Sequence, residues 1–254
     1  MKRHDYQNDG LRLSYLDAGG SGAPLIALHA HWMEGVTYEP LAAALAPAWR
    51  VIAPDQRGHG HSDHAPSYGR DDYLGDLQAL YEHLGLHDAV LLGNSLGGVN
   101  AYQFAARHPQ RVRGLIIEEI GTIVSDDASF VLPWSGVFPS REALEERLGP
   151  RFAPYLEPSF RETPGGWRLA FEPRDMVASQ AGLGGDHWAD WLASDCPALV
   201  VRGRDSRVTD PDIIRQMGER RRNTRVVTLD AGHVVHMDAA SDFEKAVRAF
   251  LDRL

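Results

Sequence analysis

The chain has 254 residues, 43% hydrophobic and 24% charged, with a formal net charge of −9. That length can bury a full core without covalent staples, and the composition excludes an intrinsically disordered chain. A single cysteine, Cys196, excludes an intrachain disulfide and a four-cysteine zinc site, and the acidic balance offers no basic face for a nucleic-acid backbone.

Residues 1–7 lack the apolar core of a signal peptide. The longest uncharged run, 89–106, is interrupted by Gly93, Asn94, Ser95, Gly97, Gly98, Asn100 and Gln103, too polar for a membrane span. The expectation is a cytoplasmic protein acting on a small molecule, with no membrane or nucleic-acid partner; oligomeric state is not legible. Residues 11–16 alternate apolar and polar, as an antiparallel edge strand does. Short apolar runs at 25–28, 50–53, 89–92, 115–117, 198–201 and 225–229 are bounded by Gly, Pro, Asp or Asn, the pattern of parallel strands buried on both faces. Between them, Tyr73, Leu74, Leu77, Leu80, Tyr81 and Leu84 mark one helical stripe. Val99, Tyr102, Phe104 and Ala105 mark a second. Phe243, Ala246, Val247, Phe250 and Leu251 mark a last helix, with Ser241 as its N-cap. Arg220, Arg221 and Arg222 read as a solvated helix end. Strand–helix alternation predicts an α/β fold with a mostly parallel, doubly wound sheet.

Residues 122–194 break the alternation. They carry seven prolines and Trp134, Trp167, Trp188 and Trp191, show no strand signal, and suggest helices near 141–148 and 174–181. Exposed tryptophans in such number would invite aggregation, so this stretch is expected to be a helical cap over a pocket, inserted between core segments 1–121 and 195–254.

Gly93-Asn94-Ser95-Leu96-Gly97-Gly98 follows an apolar strand and opens a helical stripe. This is G-x-S-x-G in the strand–turn–helix setting that exposes a nucleophilic hydroxyl at the mouth of a sheet, beside the free N–H groups of a helix N-terminus. Leu28-His29-Ala30-His31-Trp32, Asp55-Gln56-Arg57-Gly58-His59-Gly60-His61-Ser62 and Ala231-Gly232-His233 complete a pattern that resembles the α/β-hydrolase family over nearly the whole chain, with an esterase- and lactonase-like look. Ala30 departs from the family's usual glycine in the His-Gly-x loop.

The resemblance implies Ser95 as nucleophile and His233 as general base, with His236 a rival expected to lie at the surface or face the cap. The acid has two candidate positions. The family's commonest one, three residues after a glycine at the seventh strand, holds Ser206 here, with Asp205 one residue early. The other, after the sixth strand, fits Glu119, two dozen residues beyond Ser95, with Glu118 expected to point to the opposite face. Glu119 is the preferred acid and Asp205 the alternative. The backbone N–H groups of His31 and Leu96 are the expected oxyanion hole. The side chains of Trp32, Trp134 and Trp188 are candidate substrate contacts. His59, His61, Asp63 and His64 form an H-x-H-x-D-H string that could ligate zinc, but it overlaps the Asp55–Ser62 turn and leaves Ser95 unexplained, so no metal is expected. The sequence has no G-x-G-x-x-G or P-loop string, and no cofactor is expected. The reading is a serine hydrolase of a small, largely apolar ester or lactone working through an acyl-enzyme. The alternatives are a C–C bond hydrolase with the same triad and a ligand-sensing regulator on the same fold.

Overall fold

A computed structural model describes residues 1–254. Along the chain the elements are β1 (Lys2–Asn8), β2 (Leu11–Asp17), β3 (Ala23–Leu28), α1 (Glu39–Leu45), β4 (Trp49–Asp55), α2 (Arg70–His83), β5 (Ala89–Asn94), α3 (Leu96–Arg107) and β6 (Val112–Glu118). Next come β7 (Ile123–Val124), α4 (Arg141–Leu156), β8 (Phe160–Thr163), β9 (Gly166–Leu169), α5 (Pro173–Leu183), β10 (Gly185–Asp186) and α6 (Trp188–Leu192). The chain ends with β11 (Ala198–Gly203), α7 (Pro211–Arg220), β12 (Thr224–Leu229), α8 (Val235–Asp238) and α9 (Ala240–Leu251).

Eight strands form one sheet in the order β1-β2-β4-β3-β5-β6-β11-β12. The run from β4 to β12 is parallel, because each crossover carries a helix back over a face. The apolar runs lie at its centre: Leu25, Ile26, Ala27, Val90, Leu91 and Leu92 are fully buried. Each leucine, isoleucine or valine side chain removed from water there contributes about 1.5–3 kcal/mol. Helices cover both faces. Leu41, Ala42 and Leu45 of α1 pack with Phe243, Val247, Phe250 and Leu251 of α9 on one side. On the other, Leu74 and Leu77 of α2 pack with Val99, Tyr102 and Phe104 of α3. The mostly parallel, doubly wound sheet is as the alternation predicts.

Three expectations at the edges of the fold are corrected. Residues 11–16 are antiparallel but not the edge, because β1 pairs along their whole length. Only Tyr6 of β1 is buried, so that strand carries no apolar signal. Ser241 does not cap the last helix; α9 starts at Ala240, with Ala239 in the N-cap position and no side-chain cap. The arginine run does end α7, but Arg221 is buried. It donates to the Ser194 carbonyl and hydroxyl and lies 4.7 Å from the Trp191 ring centre, so partner geometry overrides its polarity.

Residues between β6 and β11 include the expected helices α4 and α5, with α4 kinked at Gly149 (φ +73°) before Pro150. They also contain strands that the sequence did not reveal: the hairpin β8–β9, turned at Pro164-Gly165, and the two-residue pair β7–β10. All four strands are short, so no long apolar run marks them, and β7 and β10 meet only across the whole segment between them.

Candidate active site

Ser95 sits between β5 and α3 at φ +51°, ψ −114°, a backbone region costly for a residue with a Cβ. The turn is possible because its flanks are glycine. A Cβ on Gly93 would lie 2.2 Å from the Gly97 carbonyl carbon, and one on Gly97 would lie 2.1 Å from the Leu28 carbonyl oxygen. Strand, turn and the loop after β3 are thereby pressed together. The Ser95 hydroxyl does not cap α3 and opens into a cavity of about 960 Å³. Leu96 is the first residue of α3, where backbone N–H groups lack an intrahelical acceptor.

His233 borders the same cavity on the loop after β12. Asn94, the residue before Ser95, donates from Nδ2 to the His233 carbonyl at 3.1 Å and to the Glu118 carbonyl at 3.2 Å. Gly203 lets β11 pass this loop, since a Cβ there would sit 1.9 Å from the Gly232 oxygen. The His233 ring donates from Nδ1 to Glu119 Oε2 at 3.2 Å. Glu119 is fully buried at φ +49°, just past the end of β6. Its Oε2 also accepts from Ser206 Oγ at 2.6 Å and Thr209 Oγ1 at 3.2 Å, and its Oε1 accepts from the Gly203 N–H at 3.3 Å. A buried carboxylate needs such a set of donors. The hydroxyl of Ser206, standing where the family commonly has its acid, is thus one of the donors to Glu119. Asp205 is exposed on the cavity rim, tied by its backbone N–H to the Ala231 carbonyl, and its carboxylate does not meet His233.

His236 corrects an expectation. It is neither on the surface nor turned to the cap: it is buried, with Nδ1 2.9 Å from Glu118 Oε1, its backbone N–H on the same oxygen, and its ring stacked 4.4 Å from that of Tyr38. Consecutive carboxylates at the end of β6 therefore hold two histidines three residues apart, Glu118 to His236 in α8 and Glu119 to His233 on the loop before it. The Glu118 pairing carried no sequence signal beyond its place beside Glu119.

The loop after β3 supplies Ala30, His31 and Trp32 to the cavity. The extra methyl of Ala30 packs against Met33 and Val234. Trp32 takes φ +71°, and its carbonyl accepts from Ser159 Oγ at 2.9 Å. Glu34 pairs with Arg161 at 2.5 Å, while burial pushes its carboxyl up to about 7. His31 Nε2 is 2.8 Å from Ser179 Oγ on α5. Ser159, Arg161 and Ser179 were not singled out from sequence; nothing local marks a serine or arginine that meets a loop more than a hundred residues away.

Of the three candidate tryptophans, Trp32 lines the cavity. Trp134 stands behind that wall, edge-to-face with Trp32 at 5.9 Å and Phe152 at 5.0 Å. Trp188 does not border the cavity; the Arg220 guanidinium covers its ring at 3.8 Å. The H-x-H-x-D-H string is dispersed among other partners. His59 Nδ1 donates to the Arg57 carbonyl, Asp63 pairs with Arg12, and His64 lies 3.3 Å from Asp175. Asp55 instead organises this turn, accepting from the Gly35 and His61 N–H groups and from Arg3.

A family model described as alpha/beta hydrolase fold matches residues 23–240. The chain belongs to the α/β-hydrolase fold family. Among its relatives, 2-(acetamidomethylene)succinate hydrolase of Mesorhizobium japonicum is 27% identical over 248 residues, 92% of this chain and 89% of that protein. The crystal structure of E-2-(acetamidomethylene)succinate hydrolase superposes with a TM-score of 0.89 at 26% identity, covering 99% of each chain. 2-Hydroxymuconate semialdehyde hydrolase of a Pseudomonas species is 37% identical over 114 residues, 42% of this chain and 40% of that protein. This α/β hydrolase has no helix long and apolar enough to cross a membrane.

Proposed function

We propose that this α/β hydrolase is a serine hydrolase of carboxylic esters or lactones, with Ser95, His233 and Glu119 as its triad. The observation that carries the reading is the uncommitted Ser95 hydroxyl at a strained turn, opening into the cavity that His233 borders while the far side of that ring is held by buried Glu119. With Nδ1–H directed at the carboxylate, the neutral ring presents Nε2 as a base.

On this reading, Ser95 Oγ attacks the carbonyl carbon and its proton passes to His233 Nε2. Glu119 stabilises the imidazolium, and the developing oxyanion takes hydrogen bonds from the backbone N–H groups of Leu96 and His31. The imidazolium returns the proton to the leaving alkoxide. A water deprotonated by the same ring then hydrolyses the acyl-enzyme. We read residues 122–194 as the cap that completes the pocket, since Val124, Phe130, Phe152 and Leu183 supply much of its apolar wall. The cavity volume is at the upper end of the usual ligand range, which favours a substrate larger than a simple acetyl ester.

A panel of p-nitrophenyl esters and lactones tests this. Many turnovers per enzyme, abolished in Ser95→Ala with little change in melting temperature, are the expected result. A single turnover at most on every compound would favour the ligand-sensing alternative, and full activity in Ser95→Ala would refute the nucleophile.

A further inference from the structure

The His31 side chain has a hydrogen-bond arrangement that its backbone role does not need. Ser179 Oγ, fully buried on α5, is 2.8 Å from His31 Nε2 and 2.8 Å from the Tyr73 hydroxyl on α2. These three groups come from the loop after β3, the core helix α2 and the segment between β6 and β11. Their protons can be counted. Tyr73 stays a phenol, because burial pushes its ionisation up, and Ser179 is the single hydrogen-bond partner of its hydroxyl. If His31 Nε2 carried the ring proton and gave it to Ser179, either the Ser179 or the Tyr73 proton would be left buried without an acceptor. If Tyr73 donates to Ser179, and Ser179 donates to His31 Nε2, every proton in the chain is satisfied. The ring is neutral, since burial and the neighbouring His59, Arg70 and His233 push its ionisation well down. Its one proton therefore sits on Nδ1. That atom has no hydrogen-bond partner in the protein and is not among the polar atoms sealed from solvent, and His31 borders the cavity with Ser95 and His233.

We infer that His31 is a specificity-determining residue whose Nδ1–H donates to the substrate, and that Ser179 and Tyr73 are positioning residues that fix this tautomer. The inference rests on the serine-hydrolase reading for the identity of the substrate. Only a few covalent bonds separate the His31 backbone N–H from its ring Nδ1. An acceptor met by the ring thus lies one or two carbons from the carbonyl met by the backbone. The substrate class is a carboxylic ester or lactone whose acyl part carries a hydroxyl, keto or carboxylate oxygen next to the scissile carbonyl. A neutral donor held in a partly desolvated wall suits such an oxygen and discriminates against an acyl chain lacking it, which would leave the N–H unpaired.

Two measurements test this. ¹⁵N-histidine NMR of the substrate-free protein reads the tautomer directly: His31 is expected as Nδ1–H in the native protein and as a mixture in Ser179→Ala and Tyr73→Phe. The second variant serves if loss of the buried serine prevents folding. In parallel, kcat/KM for ethyl 2-hydroxypropanoate is compared with that for ethyl propanoate. The ratio is expected to fall about tenfold in His31→Phe, which keeps the backbone N–H, and severalfold in Ser179→Ala, with Ser179→Thr restoring it. An Nε2–H tautomer in the native protein overturns the relay, and an unchanged ratio in His31→Phe overturns the substrate contact. Failure of the hydrolase reading shows separately, as absence of a fluorophosphonate adduct on Ser95. That outcome removes the substrate class, while the NMR result still decides the relay.

Discussion

Replacing Glu119 by glutamine keeps shape and removes charge. The side chain is fully buried and receives donors from Gly203, Ser206, Thr209 and His233. Glutamine can satisfy the three donors on the Oε2 side with its carbonyl. Its amide then faces the Gly203 N–H, a donor–donor contact costing roughly 1–3 kcal/mol of stability. On the proposed mechanism, the larger effect is on the charge that forms on His233 during acylation. At the observed 3.2 Å and an effective dielectric of about 20, the imidazolium–carboxylate attraction is about 5 kcal/mol, or between three and four powers of ten in rate. Glu119→Gln should therefore lower kcat for a p-nitrophenyl ester by ~10³–10⁴-fold. Asp205→Asn alters an exposed carboxylate that does not meet His233, and should change kcat by no more than about twofold. Steady-state kinetics on both variants, with melting curves to confirm folding, decide the matter. A loss beyond a hundredfold in Asp205→Asn, with Glu119→Gln near native, would refute the assignment of the acid.

Ser206→Ala removes the shortest donor to Glu119, a charge-assisted bond, and should lower kcat about tenfold with KM little changed; an unaltered kcat would show that the carboxylate is held well enough without it. Gly97→Ala would force a methyl to within 2.1 Å of the Leu28 carbonyl oxygen and should destabilise the fold by several kcal/mol or prevent expression, whereas a native melting temperature would contradict the close approach of turn and loop. Acid stability should depend on His29 and His59, which burial pushes down to about 4 and about 3. His29 is built to stay neutral: Nδ1 donates to the Ala30 carbonyl and Nε2 accepts from the Gln56 N–H. Below about pH 6.5 the unfolded chain protonates both rings and the folded chain does not. Their contribution is therefore full above that pH and is lost progressively as pH falls toward 3. Unfolding free energy from urea titrations should fall less steeply between pH 6.5 and 4 in His59→Asn than in the native protein; equal slopes would contradict the burial argument.

What could be read from the sequence follows physical locality. The central strands announce themselves because burial on both faces demands continuous apolar runs, as at Leu25, Ile26 and Val90, Leu91. The Ser95 turn is legible because glycines must stand at 93 and 97 for the chain to pass. The contact of Glu119 with His233 was reachable only through family spacing together with the hydroxyl at Ser206. The remainder depends on partners distant in the chain. β1 is stitched to β2 by backbone pairing with almost no buried side chain, and the β8–β9 hairpin is too short for periodicity. Arg221 and His236, both polar, are buried because Trp191 and Glu118 happen to meet them. The contacts of Ser159, Arg161 and Ser179 with the loop after β3 are tertiary facts with no local trace.

The central claim is that Ser95 is a nucleophile activated by His233. It is tested most directly by mass spectrometry of the protein after brief exposure to a fluorophosphonate. The account predicts one adduct per chain, on the peptide carrying Ser95, formed at a rate that collapses in His233→Ala while the fold persists. An adduct elsewhere, or labelling of Ser95 at the native rate without His233, would contradict it.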